Sequence, residues 1–125
     1  MISEETPAGE FEAQLIQSYG DGRFRVAGEI YEGSIVVAAD QTRPWPVSEA
    51  VAITADSLSA AFSSDADILL IGCGPDFTPP PDGLRDVVRE AGMVLEWMDT
   101  GGACRTFNVL LAEERPVIAA LIAVE

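Results

Sequence analysis

The pattern of apolar residues changes character near residue 66, and this change constrains the fold more than any other feature. Before it, over residues 11–39, apolar and polar residues alternate, as they do in strands with one buried face. After it, residues 68–71 are continuously apolar, as in a strand that is covered on both faces of a parallel sheet. The chain is therefore predicted to join an antiparallel β layer to an α/β half.

The alternating segment, residues 11–39, contains two predicted turns. Gly-Asp-Gly at 20–22 predicts a hairpin turn, because glycine adopts positive φ without a side-chain clash. Gly-Ser at 33–34 predicts a second bend. Residues 42–46, Thr-Arg-Pro-Trp-Pro, are predicted to end the β pattern, since two prolines within three residues cannot continue a ladder.

The second half of the chain alternates strands with helices. The predicted elements are a strand at 67–71, a helix from the N-cap Asp82 to Gly92, a strand at 93–98, a helix opened by 99–102 and closed by 115–116, and a strand at 117–124. Strand, helix and strand in succession imply at least one right-handed βαβ crossover. The predicted fold class is α/β, with a β-hairpin layer and a mixed sheet flanked by helices. Residues 1–9 are predicted to be a mobile acidic tail, and 10–125 a single domain.

Length and hydropathy predict a soluble domain. The chain has 125 residues, close to the usual size of one domain, and 48% of them are hydrophobic. No run approaches the roughly 18 apolar residues that suggest a membrane span. The N-terminus, Met-Ile-Ser-Glu-Glu, lacks the basic and apolar regions of a secretory signal. The predicted location is therefore cytoplasmic, with no direct membrane insertion.

The charge balance is strongly acidic. Twenty-one acidic residues stand against 7 basic ones, which gives a formal net charge of −14. Such a surface repels the phosphates of nucleic acid and anionic lipid, so neither is an expected partner. The acidity either maintains solubility alone or attracts a basic partner protein.

The chain contains no histidine and no lysine. A histidine-based triad, an imidazole metal site, a Schiff base and a phosphate-loop lysine are therefore excluded. Carboxylate and thiol chemistry remain. Asp65 and Asp67 alternate just before a strand, a spacing more typical of a solvated turn than of a metal site. The sequence thus predicts a protein that is not an enzyme and has no cofactor and no metal.

Residues 98–108 carry the most unusual local sequence, Met-Asp-Thr-Gly-Gly-Ala-Cys-Arg-Thr-Phe-Asn. They run from a strand into a helix, where unpaired N–H groups and the positive end of the helix dipole gather. Arg105 can add donors for a carboxylate or phosphate. The loop at 72–74 leaves another strand, so the two loops line one crevice if the strands are neighbours. The candidate site residues are Gly72, Cys73, Gly74, Thr100, Arg105, Thr106 and Asn108.

Two interpretations of this segment stay open. In one, the crevice between the 72–74 loop and the 99–105 helix start binds a small anion or holds an enzymatic site. In the other, the segment is purely structural, with Thr100 as a helix cap and Arg105 paired with a nearby carboxylate. Cys73 and Cys104 would border the same crevice, and a thiol near a helix N-terminus has a lowered pKa. A thiol redox pair is therefore a third hypothesis, beside two inert thiols packed as small apolar groups.

Several blocks of the chain resemble the Mth-type domain family. They are Ile-Leu-Leu-Ile-Gly-Cys-Gly at 68–74, Gly-Met-Val-Leu-Glu-Trp-Met-Asp-Thr at 92–100, Ala-Cys-Arg-Thr-Phe-Asn-Val-Leu at 103–110 and Glu-Arg at 114–115. The similarity spans about residues 10–125 and includes the Arg-Pro-Trp loop at 43–45. The block at 100–108 is its most specific part.

The resemblance implies a three-layer α/β fold with a mixed five-stranded sheet, and no established catalytic residues carry over from it. The family, largely of unknown function, includes a mitochondrial respiratory complex I assembly factor and an adipogenesis-associated protein. The chain departs from the family at Cys73, where Thr is common, and at Phe107, where Tyr is common. The first departure counts against the idea that the family's function requires Cys73 and Cys104 to act as a pair of thiols.

A binding or assembly module is the leading functional hypothesis, linked by resemblance to the biogenesis of respiratory complex I or another membrane complex. The expected partner is a protein, either a basic protein or a membrane-complex subunit. Arg43, Trp45, Arg105 and Asn108 are the predicted contact residues, since Trp and Arg are enriched at binding hot spots. For Trp45, packing against the core is the preferred interpretation and surface contact the alternative. The small-anion or enzymatic crevice is the rival function.

Overall fold

The computed structural model describes residues 14–125, which form two sheets and the helices that cover them. The elements are β1 (Ile16–Gly20), β2 (Arg23–Val26), β3 (Glu29–Glu32), β4 (Ile35–Ala38), β5 (Thr42–Pro44), 3-10 turns at Ala50–Ala52 and Asp56–Leu58, α1 (Ser59–Phe62), β6 (Ile68–Gly72), α2 (Leu84–Glu90), β7 (Val94–Met98), α3 (Thr100–Ala112) and β8 (Val117–Leu121). The predicted tail, residues 1–9, lies outside the described residues.

The strands β1, β2 and β3 form an antiparallel three-stranded sheet. The predicted hairpin turn is confirmed, because Asp21 and Gly22 between β1 and β2 have φ of 54° and 71°. A second two-residue turn joins β2 to β3, where Ala27 and Gly28 have φ of 50° and 85°. The sequence did not predict this turn, since alanine rarely adopts positive φ.

The second sheet has five strands in the order β5-β4-β8-β6-β7. β6 is parallel to both β7 and β8, whereas β4 is antiparallel to β8 and to β5. The predicted fold class, a β-hairpin layer with a mixed five-stranded sheet, is confirmed. The prediction that residues 42–46 end the β pattern was wrong, because Thr42–Pro44 form the strand β5. An edge position tolerates this proline, and the next N–H, that of Trp45, donates to Ser34 O at 2.9 Å.

Alternate residues of β6 divide the core between the two faces of the sheet. Leu69 belongs to the apolar cluster that contains Val88 of α2, while Leu70 belongs to the cluster that contains Phe107 of α3 and Phe24 of the hairpin layer. Successive side chains of a strand point to opposite faces. α2 therefore covers one face, and α3 with the three-stranded sheet covers the other.

The start of α2 differs from the prediction that Asp82 is its N-cap. Gly83, with φ of 82°, holds the N-cap position, and the helix begins at Leu84. The Leu84 N–H donates to Pro81 O at 3.2 Å, so a turn over 81–84 places Asp82 outside the helix. The predicted end is confirmed, because Gly92 has φ of 86° after the helix.

Candidate functional site

The loops of the predicted crevice lie side by side. β6 and β7 are parallel neighbours, and Gly72 at the end of β6 is paired in register with Met98 at the end of β7. The Cys73 N–H donates to Met98 O at 2.8 Å. Because these two strands are paired in register, the 72–74 loop and the 99–105 helix start meet at one end of the sheet, as the sequence predicted.

Thr100 fills the space between these loops. Its side chain is fully buried, and its Oγ1 donates to Ile122 O at 2.7 Å and accepts from the Gly74 N–H at 3.1 Å. Its own N–H donates to Gly74 O at 2.8 Å. A Cβ on Gly72 would lie 2.9 Å from the Thr100 Cα, so glycine is needed for this close approach. These contacts fill the space between the loops in which a ligand was predicted to bind.

The N-terminus of α3 is capped from within the chain. Asp99 holds the N-cap position and its Oδ2 accepts from the Gly102 N–H at 3.3 Å, so the prediction of Thr100 as the cap was wrong. The Asp99 carboxylate stabilises the positive end of the helix dipole and repels an incoming anion. Arg105 is exposed, and it forms no salt bridge with any residue of the described part of the chain.

Thr106 and Asn108 face neighbouring elements. The Thr106 Oγ1 contacts the Met98 Sδ at 3.4 Å. The Asn108 Nδ2 donates to Ile16 O at 2.9 Å, and its Oδ1 accepts from the Ile16 N–H at 2.9 Å. This amide pairs with β1 as a strand backbone would, so Asn108 attaches the three-stranded sheet to α3.

Arg43 lies on β5 and Trp45 follows it, at the edge of the five-stranded sheet opposite β7. Trp45 is only 5% exposed and its indole Nε1 donates to Ser57 O at 2.7 Å, which confirms core packing. As a contact residue Trp45 was the wrong choice, because its ring is not accessible to a partner. Arg43 is exposed on β5, and its Nη2 donates to Gln41 Oε1 at 3.2 Å. It borders an open depression of about 540 Å³ whose lining also includes Asp40 and Asp65.

The two cysteines are free and buried on opposite faces of the five-stranded sheet. Cys73 packs in the cluster of α2, and Cys104 packs in the cluster of α3. Burial raises the pKa of the Cys104 thiol to about 12, while the Arg105 charge lowers it and Asp99 raises it further. The prediction of a lowered pKa near a helix N-terminus was wrong for Cys104, because desolvation outweighs the attraction of the positive charge. A thiol redox pair has no geometric basis in this fold.

The buried Cys104 thiol predicts a pH-dependent stability. The unfolded chain releases the thiol proton above its ordinary pKa of 9.0, whereas the folded chain keeps it up to about 12. The free energy of unfolding therefore falls as pH rises through this window, by up to about 1.4 kcal/mol per pH unit. Urea unfolding is measured at pH 8 and at pH 10. The free energy of unfolding is expected to fall more between these two pH values for the wild type than for Cys104→Ala. Equal losses in the two proteins would contradict the burial of this thiol.

An apolar groove, which the sequence did not predict, lies on the α2 face of the sheet. Its volume is about 520 Å³. It is lined by Glu49, Ala50, Val51, Cys73, Pro75, Asp76, Thr78, Pro79 and Pro81. Val51 is 84% exposed, and Phe77, between two lining residues, is 62% exposed. Large apolar side chains exposed beside a concave apolar surface are typical of interaction sites.

The wall of the groove formed by the proline-rich loop is held by hydrogen bonds to buried side chains. The Trp97 Nε1 donates to Thr78 O at 2.5 Å, and the Cys73 thiol donates to Asp76 O at 3.5 Å. The rest of the lining comes from Glu49, Ala50 and Val51, at the start of the 3-10 turn Ala50–Ala52. One sequence signal for this site was available, since residues 75–81 combine four prolines with an isolated phenylalanine.

Residues 16–122 match the model of the family described as "Protein of unknown function (DUF498/DUF598)". The match covers most of the chain, and the chain belongs to this family. The structure of a Bordetella pertussis protein described as a Mth938-like domain has a TM-score of 0.75 and 27% identity, over 98% of this chain and 92% of that one. The predicted Mth-type resemblance is therefore confirmed.

Two further relatives bear on function. The crystal structure of an outer membrane protein from Bartonella henselae is 38% identical with a TM-score of 0.82, over 90% of this chain and 96% of that one. The NADH dehydrogenase [ubiquinone] 1 alpha subcomplex assembly factor 3 of Xenopus tropicalis is 31% identical over 113 residues, which is 89% of this chain. This chain spans 62% of the length of the frog protein.

Within residues 14–125, none of the helices combines the length and the apolar character that crossing a bilayer requires. The cytoplasmic location stays a prediction.

Proposed function

We propose that this domain is a non-enzymatic binding module that acts in the assembly of a multi-subunit complex. The observation that carries the proposal is the apolar groove between residues 49–51 and 73–81, with Val51 and Phe77 exposed beside it. Large apolar side chains that remain in contact with water in the free domain gain free energy when a partner covers them.

The name of one relative supports the proposed target. The frog relative is named as an assembly factor of the NADH dehydrogenase [ubiquinone] 1 alpha subcomplex. By this relationship, the proposed partner is a protein subunit or an assembly intermediate of a respiratory or other membrane complex. The acidic surface, with a net charge of −14, favours a basic region of that partner over nucleic acid or an anionic membrane.

The alternative of a small-anion or enzymatic site at the 72–74 loop is less well supported by the geometry. Thr100 occupies the space between the loops, and the Asp99 carboxylate caps the helix that would have received the anion. Arg105, the expected donor, is exposed to solvent. An anion at this position would have to displace internal hydrogen bonds that already satisfy the buried backbone groups.

Capture of complexes from cell extract tests the assembly function. The groove variant Val51→Ser/Phe77→Ser removes the exposed apolar surface without changing charge. Its matched control is Ile30→Ser/Val109→Ser, whose residues are 60% and 56% exposed and do not line the groove. Wild type and control are expected to enrich subunits of one membrane complex, and the groove variant to lose about tenfold or more of this enrichment. Undiminished enrichment by the groove variant would contradict the proposal.

A further inference from the structure

We propose that the groove receives a peptide segment of the partner in which an apolar side chain stands next to arginine or lysine. This inference rests on the proposed function and specifies the chemistry of the partner. It follows from three properties of the groove, which are its apolar lining, the sign of its charges and the rigidity of its wall.

The lining of the groove is mainly apolar. Alanine, valine and proline side chains, with Cys73 beside them, form most of its surface. Such a surface favours an aliphatic or aromatic anchor, since burying apolar area contributes about 25 cal/mol per Å². The volume of about 520 Å³ lies in the range of sites that enclose a ligand or a few side chains.

The charges along the groove are all of one sign. Glu49 and Asp76 are its charged lining residues, and both are exposed. Neither carboxylate forms a salt bridge with an arginine anywhere in the described part of the chain. None of the seven arginines of the chain lines the groove. Two carboxylates that have no arginine partner within residues 14–125, beside an apolar surface, complement a segment that carries cationic and apolar side chains together.

The charges of the groove also favour a cationic peptide segment over other possible occupants of the groove. A second copy of the chain brings its own net charge of −14, and nucleic acid or an anionic lipid surface brings phosphates. All of these are repelled by the groove carboxylates. A cationic segment of a protein is attracted, and its association rate is raised by the field of the whole chain.

The wall beside Asp76 is fixed before a partner binds. The bonds from the Trp97 indole to Thr78 O and from the Cys73 thiol to Asp76 O attach the loop to the core. A preformed wall lowers the entropy that binding must overcome, so a short peptide suffices as a probe.

Titration with capped synthetic peptides tests this inference. The probe has a central Leu-Phe pair flanked by arginines; one comparison peptide replaces the arginines by glutamates, and another replaces the apolar pair by serines. Affinities are measured by calorimetry in about 0.15 M salt, where the screening length is about 8 Å. Amide shifts in NMR spectra of the labelled chain locate the site. We expect the arginine probe alone to bind, with shifts confined to residues 49–51 and 73–81.

Charge reversal separates local recognition from general attraction to an acidic protein. Glu49→Arg/Asp76→Arg is expected to weaken the arginine probe about tenfold or more and to bind the glutamate peptide instead. The control Glu29→Arg/Glu90→Arg changes net charge equally at exposed positions away from the groove, and is expected to change affinity by less than about threefold. Equal weakening by the two variants, equal binding of the serine peptide, or shifts outside the groove would overturn the inference.

The two proposals fail in different ways. If Val51→Ser/Phe77→Ser abolishes capture of the complex while Glu49→Arg/Asp76→Arg leaves it unchanged, the proposed function stands and the cationic segment is wrong. If Val51→Ser/Phe77→Ser leaves capture unchanged, the proposed function itself is wrong at this surface, whatever the peptides do.

Discussion

Replacing Phe107 by alanine is expected to lower the free energy of unfolding by about 3–5 kcal/mol, because truncating a buried aromatic ring removes apolar contacts and leaves a cavity. Phe107 is fully buried on α3 and packs in the cluster that joins the helix to the sheet and to the hairpin layer. A domain of this size has a total stability of about 5–15 kcal/mol, so the variant is expected to be close to unfolding at moderate temperature. Urea unfolding followed by circular dichroism measures the loss.

Val109→Ala is the control for this prediction. It lies on the same helix, but its side chain is 56% exposed, so its truncation is expected to cost less than about 0.5 kcal/mol. A Phe107→Ala protein that unfolds within about 1 kcal/mol of the wild type would show that the ring is not part of the core.

Thr100→Val is expected to be nearly as damaging, although valine has almost the same shape. The substitution removes the hydroxyl that donates to Ile122 O and accepts from the Gly74 N–H. Each buried group left without a partner costs about 1–3 kcal/mol. The melting temperature and the urea midpoint of the variant measure the sum of the two losses.

Two neighbouring substitutions make this prediction specific. Thr100→Ser keeps the hydroxyl and loses one buried methyl group, so its cost is expected to be about 1 kcal/mol. Gly72→Ala keeps the hydroxyl but places a Cβ 2.9 Å from the Thr100 Cα, and this overpacking is expected to destabilise by about 1–3 kcal/mol. A Thr100→Val protein as stable as Thr100→Ser would mean that the two hydrogen bonds do not stabilise the fold.

Much of the fold was predictable because it rests on local patterns. The continuous apolar run of β6 predicted a strand covered on both faces, and the alternation of strands and helices after residue 66 predicted the parallel pairing of β6 with β7 and β8. The turn at Ala27 was missed because its residue type does not favour the positive φ that it adopts. Pro44 was misjudged because an edge strand tolerates proline, and edge position depends on the order of strands in the sheet.

The contacts that fill the predicted crevice could not be read from the sequence for a different reason. The sequence showed which residues gather at the start of α3, but not which polar groups they form hydrogen bonds with. Thr100 bonds to Ile122, a residue 22 positions away, and Asn108 bonds to Ile16, 92 positions away. Such partners are set by the packing of the whole chain. The groove was missed for the converse reason, since its two walls, at 49–51 and 73–81, are far apart in sequence and neither carries a catalytic motif.

The position of β8 has a consequence for the order in which the chain folds. β8 is the last strand of the described chain, yet it lies at the centre of the sheet, between β4 and β6. Until it is in place, β5-β4 and β6-β7 are two separate strand pairs, and Thr100 has no carbonyl at residue 122 to receive its hydroxyl. Pairing over such long sequence separations slows folding. The domain therefore completes its core only after synthesis has passed residue 121, and until then β4 and β6 keep unpaired edges of the kind that make partly folded chains prone to aggregation.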